Sequence, residues 1–282
     1  MSINQIDKEE FCISSIQSDN LDKLKQFLSS GFTINSFLRS RRKIWDTNSF
    51  TVLAIAVFNG SNKIVDYLLE KNVHINQVDN LKKRTALHWA VASGHFDLSK
   101  KLIEAGAVVN ALDRDSVTPL ILAANLGDLE TVRILIKSGA DMNITDRMNS
   151  SALHYACMRF HADIAKELVM NGCTCNTNTP FSFCSPLKYL ILDKQYNTAI
   201  CLIETGCDLT SEKWIQDGSF AINNKIDADF LNWIKCYVKK PPTLMSLCRQ
   251  GIRKNLGSIN LAHKIQLINL PRYLKDFLML KF

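Results

Sequence analysis

The feature that most constrains what this chain can fold into is its period. A Thr/Ser-x-Leu-x-x-Ala-like core recurs at Thr51, Thr85, Thr118, Ser151 and Ser185, at spacings of 34, 33, 33 and 34 residues. It reads TVLAIA, TALHWA, TPLILA, SALHYA and SPLKYL. Seventeen residues after each start comes an apolar pair: Leu68-Leu69, Leu102-Ile103, Leu135-Ile136, Leu168-Val169 and Leu202-Ile203. Glycine then follows at Gly106, Gly139, Gly172 and Gly206, where a left-handed residue ends a helix, and Asn72 takes that place once. Asn76, Asn110, Asn143 and Asn176 open the next turn. Units of this length cannot bury a core alone; they are stable only when stacked on their neighbours.

Each unit therefore reads as helix, tight turn, helix, glycine stop and extended finger, with apolar faces turned toward adjacent units. Residues 20–35 (NLDKLKQFLSSGFTIN) match the second half of such a unit, with Phe11 to Gln17 as its first helix, so a repeat over about 8–36 is expected. The Asn35 to Asn76 spacing of 41 places extra residues in a finger over about 37–50 that carries Arg39, Arg41, Arg42, Lys43 and Trp45. Insertions of this kind map to loops. Over about 208–240 the pattern degenerates, although Ile226, Phe230, Trp233, Ile234 and Tyr237 keep helical spacing, which predicts a closing unit.

After Pro241-Pro242 the texture changes. A helix is predicted over 243–256, capped by Thr243 and stopped by Gly257, with Leu244, Cys248 and Ile252 four apart on one face. A second helix is predicted over about 258–267, and a third after Pro271 with Tyr273, Leu274, Phe277 and Leu278 apolar. Forty residues so rich in large apolar side chains cannot satisfy themselves. They need a partner, which spacing alone leaves open: the repeats they would cap, or another protein.

The repeat core resembles the Thr-Pro-Leu-His-x-Ala signature of ankyrin repeats, best at Thr85-Ala86-Leu87-His88-Trp89-Ala90 and Thr118-Pro119-Leu120. Thr243-Leu244-x-x-x-Cys248-x-x-x-Ile252 resembles the elongin-binding BC box that opens a SOCS box, and Ile268-Asn269-Leu270-Pro271 is similar to the cullin-selecting Leu-Pro-x-Pro element, with Ile and Asn departing from it. Together these resemble the ankyrin-repeat and SOCS-box family. The resemblance implies an all-α fold: an ankyrin solenoid over 1–240, helix-turn-helix repeats with β-hairpin fingers, then a three-helix SOCS box over 241–282 with its BC box at 243–252 and a degenerate cullin box at 268–278. It also implies a substrate-recognition adaptor of a cullin-RING E3 ubiquitin ligase that promotes proteasomal degradation of its target. Elongin B and elongin C would be held through Thr243, Leu244, Leu247, Cys248 and Ile252. A cullin, normally cullin five with its RING subunit, would meet Ile268, Leu270, Pro271 and Leu274.

In ankyrin proteins, partners meet the finger tips and the exposed ends of the first helices. Here those positions are Phe58, Asn59, Asn80, Leu81, Arg84, Ser93, Arg114, Asp115, Asn125, Leu126, Arg147, Met148, Met158 and Arg159. With Lys82 and Lys83 the ladder leans positive, which fits an acidic or phosphorylated segment on the substrate. The alternative is an ankyrin scaffold or inhibitor whose tail is only a cap.

Catalysis is not expected. No phosphate loop, dinucleotide fingerprint, HExxH or GxSxG occurs. His88 and His154 share one register and are expected to brace the turn. Cys173, Cys175 and Cys184 lack metal-ligand spacing, so neither metal nor cofactor is expected. The start, MSINQIDKEEF, is acidic where a secretory signal is basic, and no apolar run of about 18 residues occurs. With nine cysteines in no regular spacing, this predicts a soluble cytoplasmic protein with access to the nucleus, and no membrane partner. The net charge of +7 is spread along the chain without an aromatic stacking platform, which argues against nucleic acid.

Overall fold

A computed structural model of the chain describes residues 5–38, 50–174, 185–207, 209, 212, 215, 227–239, 244–257, 261–268 and 270–279. The chain divides into two compact units, Met1–Leu122 and Ala123–Phe282, the division falling inside one helix.

The first unit runs α1 (Gln5–Gln17), α2 (Leu21–Ser29), β1 (Phe37–Leu38), β2 (Phe50–Thr51), α3 (Val52–Phe58), α4 (Asn62–Glu70), α5 (Ala86–Ala92), α6 (Phe96–Glu104) and the start of α7 (Pro119–Leu126). The two strands pair antiparallel, Phe37 opposite Thr51 and Leu38 opposite Phe50, and so bracket the long finger. The first helices α3 and α5 are short because a side-chain cap opens each one and a left-handed residue, Gly60 or Gly94, closes it. Thr51 accepts from the Ala54 amide, and Thr85 forms a reciprocal capping box with His88. They are apolar nearly all round because they lie in the middle of the stack: Val52 to Val57 are all buried, and α3 packs against α1, α4 and α5. Second helices bury one stripe only, Ile64, Val65 and Leu68 in α4 and Leu98, Ser99 and Leu102 in α6. Each fully buried leucine contributes roughly 2–3 kcal/mol of transfer free energy.

The second unit continues with α8 (Leu129–Lys137), α9 (Ala152–Met158), α10 (Ala162–Met170), α11 (Pro186–Leu192), α12 (Tyr196–Glu204) and α13 (Ala228–Lys239), then α14 (Leu244–Leu256), α15 (Leu261–Leu267) and α16 (Arg272–Leu278). The glycine stops are left-handed as their spacing required: φ is +92° at Gly106, +88° at Gly139, +100° at Gly172 and +101° at Gly206, with Asn72 at +54°. The periodic asparagines bracket successive units. The Oδ1 atoms of Asn35 and Asn76 accept from the amides of His74 and Val108 at 2.8 Å, and Asn143 accepts from Thr174 at 2.9 Å.

Some boundaries differ from the sequence reading. The first helix starts at Gln5 rather than Phe11, and the second tail helix at Leu261 rather than 258. In α13, Phe230 and Ile234 are buried but Trp233 is exposed, stacked on the Phe230 ring and tilted against that of Tyr237; Ile226 lies outside the described residues. The fingers carry little β structure. Among the described residues only the β1–β2 pair and a Thr145–Ser151 bridge are β-paired.

Candidate functional site

Three aspartates, Asp79, Asp113 and Asp146, build the fingers from below. Asp79 Oδ1 accepts from the amides of Leu81 and Lys82 at 2.8 and 2.7 Å. Asp113 Oδ1 accepts from Asp115 and Val117, and Asp146 Oδ1 from Met148 and Ser150. Each turn then passes through one left-handed residue: Lys83 (φ +57°), Ser116 (+61°) and Asn149 (+57°). The second carboxylate oxygen needs its own donor because all three groups are buried. It finds Trp89 Nε1 at 2.9 Å for Asp79 and the Tyr155 hydroxyl at 2.7 Å for Asp146. The register of Trp89 and Tyr155 holds Leu122 in the intervening repeat, which has no donor, and there Arg84 Nε reaches Asp113 Oδ2 at 3.1 Å instead. Sequence reasoning missed these aspartates, although their spacing of 34 and 33 was there to find.

His88 is a brace. Its Nδ1 accepts the Thr85 amide at 3.2 Å, which leaves the proton on Nε2 to donate to the Val117 carbonyl at 3.0 Å. Burial, the largest cause, holds its pKa below the ordinary 6.5. His154 repeats the arrangement with Ser151.

On the finger-and-helix-end ladder, Phe58, Asn59, Asn80, Arg114 and Asp115 are exposed in the first unit, and Leu126, Arg147, Met148, Met158 and Arg159 in the second. Leu81, Ser93 and Asn125 are half-buried. Arg84 is corrected: its guanidinium pairs with Asp113 and lies 5.3 Å over the Trp89 ring, so its charge is spent inside the fingers. Lys82 and Lys83 are exposed, and Arg114 ties its finger to the preceding one through its amide on the Lys82 carbonyl at 2.6 Å. Arg39 to Lys43 and Trp45 lie outside the described residues. The ladder set lacked Phe160, which is 56% exposed beside Met158 and Arg159. Phe160 is also left-handed, at φ +59°, a conformation that costs a residue with a Cβ about 1–2 kcal/mol. The readable signal was its place in the repeat, where Gly60, Gly94 and Gly127 stand.

The tail is anchored on one side and bare on the other. Arg253 of α14 is buried, donating from Nη1 to the Leu278 carbonyl at 2.6 Å and from Nη2 to Val169 at the end of α10 at 3.2 Å. Leu261 of α15 packs where Gly172 has no Cβ, and Gln250 lies over Gly206. A small core of Leu261, Ile265, Leu278 and Met279, with Leu256, Leu270 and Phe277 against it, holds the three helices together. Cys248 and Ile252 are exposed on the opposite side of α14. Leu244 and Leu247 lie on the same helix; their side chains, and Thr243 entirely, are outside the described residues. Of the residues read as a cullin contact, Pro271 is exposed, Ile268 and Leu274 are half-buried, and Leu270 is corrected in part, since it packs against the tail's own core. Leu267, absent from that set, is 72% exposed.

Seven described cysteines are free thiols, and burial pushes Cys12 up to about 12, helped by Glu9. Among the described residues no group of three His, Cys, Asp or Glu is placed to hold a metal; Cys175 and Cys184 are not among them. No described helix is long and apolar enough to cross a membrane.

Comparison with known proteins agrees with this layout. The family described as Ankyrin repeats (3 copies) matches residues 11–113, 53–146, 102–179 and 120–213, and the SOCS box family matches residues 240–279. Both are non-catalytic, adaptor-type domains. Similar proteins include the fruit-fly (Drosophila melanogaster) transient receptor potential cation channel subfamily A member 1, 30% identical over 49% of this chain and 12% of that protein. Human (Homo sapiens) neurogenic locus notch homolog protein 1 is 36% identical over 45% of this chain and 5% of its own. Putative ankyrin repeat protein L371 of Acanthamoeba polyphaga mimivirus is 24% identical over 73% and 28%. The chain thus covers a minor part of these curated relatives. With the repeats and the C-terminal box both matched, the chain belongs to the ankyrin repeat and SOCS box family.

Proposed function

We propose that this chain is the substrate receptor of an elongin-cullin-RING ubiquitin ligase, holding a target protein on its repeats and elongin C, with elongin B, on its tail. The observation that carries this reading is the division of α14: Arg253 is buried against Val169 and Leu278, while Cys248 and Ile252, both BC-box positions, stand exposed. An apolar edge left bare on an otherwise anchored helix fits a partner pocket. The receptor itself performs no chemistry. It converts an encounter between a target lysine and the charged conjugating enzyme into an effectively intramolecular one, a gain in effective concentration. Such a receptor works in the cytoplasm or nucleus. Cullin five is the partner that the Ile268-Asn269-Leu270-Pro271 element favours, with Pro271 and the exposed Leu267 as its apolar contacts.

The test is capture of purified elongin B and elongin C by the full chain. Combined Leu244→Ala and Cys248→Phe should reduce capture at least about tenfold, equivalent to 1.4 kcal/mol, with an unchanged melting temperature. Unchanged capture by a folded double variant would sink the reading. It would leave a scaffold or inhibitor whose tail only closes the repeats, a role that the Arg253 and Leu261 contacts equally support.

A further inference from the structure

In the five repeats that begin at residues 51, 85, 118, 151 and 185 the turn that ends the first helix stands at residues 60, 94, 127, 160 and 194, and Asp19, at φ +46°, holds that place in the N-terminal repeat. All five are left-handed, with φ between +57° and +82°. Three are glycine and one is lysine, but the fourth is Phe160, and a bulky side chain at positive φ is an outlier that asks for a reason. Packing does not supply a sufficient one. The ring is 56% exposed, meeting Tyr189 edge-on with centroids 6.4 Å apart. The neighbouring turns show how room for it arose. A Cβ at Gly60 would stand 3.0 Å from the His95 ring, and one at Gly127 2.7 Å from the His161 ring. In the register that follows Phe160, the residue is Gln195, so no imidazole demands a glycine there.

The exposed apolar side chains of the same unit include Leu126 at the end of α7, Met158 at the end of α9, and Met148 on the finger leading into α9. Arg159 Nε donates to Asn125 Oδ1 at 3.0 Å, which sets the ends of α7 and α9 side by side and holds that guanidinium in place. Arg147 is exposed next to Met148.

We propose that Phe160 is the anchor of a protein-docking patch, with Leu126, Met148 and Met158 as its apolar surface and Arg147 and Arg159 as its basic edge. Its occupant is a short segment of the target protein that carries a large apolar side chain between acidic residues. An aromatic anchor with adaptable methionines beside it accepts such a side chain, and arginines pair with carboxylates in a forked geometry that lysines cannot match. This rests on reading the repeats as the target-holding half of an adaptor. Elongin capture, measured on the same samples, reports that reading separately.

The experiment uses the full chain bound to elongin B and elongin C, and arrayed synthetic peptides of about 15 residues, long enough to lay one apolar face in a groove. The peptides carry Leu or Phe flanked by Glu, with charge-reversed Lys versions and apolar-to-Ser versions as controls. The acidic apolar peptides should bind at least about tenfold more tightly than either control, less so as salt rises. Phe160→Gly should hold or raise the melting temperature, because glycine fits this backbone, and yet lose peptide binding at least about tenfold. Met148→Ser should lose less. The proposal is overturned if the Lys peptides bind equally, if no acidic peptide binds, if both variants bind as wild type, or if Phe160→Gly melts lower, which would make the ring a packing residue. Failed elongin capture with intact peptide binding would leave the patch supported and remove the ligase reading alone.

Discussion

Helices α5, of 7 residues, and α14, of 13, use their faces in opposite ways. In α5 the side chains of Ala86, Leu87, His88, Ala90 and Val91 are all buried, and the polar edge of His88 is consumed by Thr85 and Val117. Nothing on that helix is left for a partner except its last turn. In α14 the inward side holds Arg253, while Cys248, Gly251, Ile252 and Asn255 are exposed. A helix inside a stack is chosen for its neighbours on every side; a helix that ends one needs neighbours on one side only. The exposed side of α14 therefore carries information about function that the buried faces of α5 do not.

The comparison breaks most sharply if the anchored side of α14 and α15 is loosened. At Gly172 a Cβ would collide with Leu261 Cδ2, and the backbone there is left-handed at φ +100°. Gly172→Ala should cost about 3 kcal/mol, part backbone strain and part overpacking, read from denaturant midpoints. In a Leu261→Ala background the collision is gone, and the same change should cost only about 1 kcal/mol of strain. A coupling of about 2 kcal/mol marks the tail as docked through this contact in solution. Equal costs in both backgrounds would show that the tail stands free of the repeats.

That contact was not legible in the sequence, and the reason is physical. Period and patterning report what each unit does to its immediate neighbours, so the helix pairs, the glycine stops at 106, 139, 172 and 206 and the bracketing asparagines could all be read in advance. Gly172 was read for its left-handed φ alone. Its second role, making room for Leu261, depends on a helix about ninety residues later whose position no local pattern encodes. Arg84 misled for the same reason: its place on a finger predicted exposure, and the missing donor at Leu122 redirected it to Asp113. That Cys248 and Ile252 share one face was legible because they lie four apart on one helix. The Phe160 patch was not, because it is assembled from two helix ends and a finger.

The buried side of the comparison sharpens with pH. His88 is held neutral by burial, so its folded pKa lies below the ordinary value of 6.5. The sign follows directly. Its contribution is complete above that value, and it is lost as pH falls from there toward the folded pKa, because the unfolded chain takes up a proton that the folded chain refuses. The slope from this residue is at most about 1.4 kcal/mol per pH unit. His88→Asn should cost about 2 kcal/mol at pH 7.5 and a smaller amount at pH 5, since the variant has no such proton to gain. A gap of constant size across that range would mean that the imidazole is not shielded as the structure places it. The exposed face of α14 predicts no comparable acid dependence for elongin capture.

The smallest effect tests the fingers themselves. Asp79 and Asp146 do the same work in different repeats, one served by Trp89 Nε1 and the other by the Tyr155 hydroxyl. Tyr155→Phe removes that one donor and leaves the amides of Met148 and Ser150 on Oδ1, so the turn should persist at a cost of about 1 kcal/mol. Burial first, then the bond to Asp146, pushes the Tyr155 pKa up to about 12. Its stabilisation is therefore full below the ordinary 10.0 and declines as pH rises toward 12, a decline that the variant should lack. Because Met148 rides on this finger, the same change should weaken acidic-peptide binding slightly, by less than Met148→Ser does. If Tyr155→Phe instead removed binding altogether, the turn would owe its shape to the hydroxyl rather than to the amides, and the aspartate would be a secondary brace in this repeat.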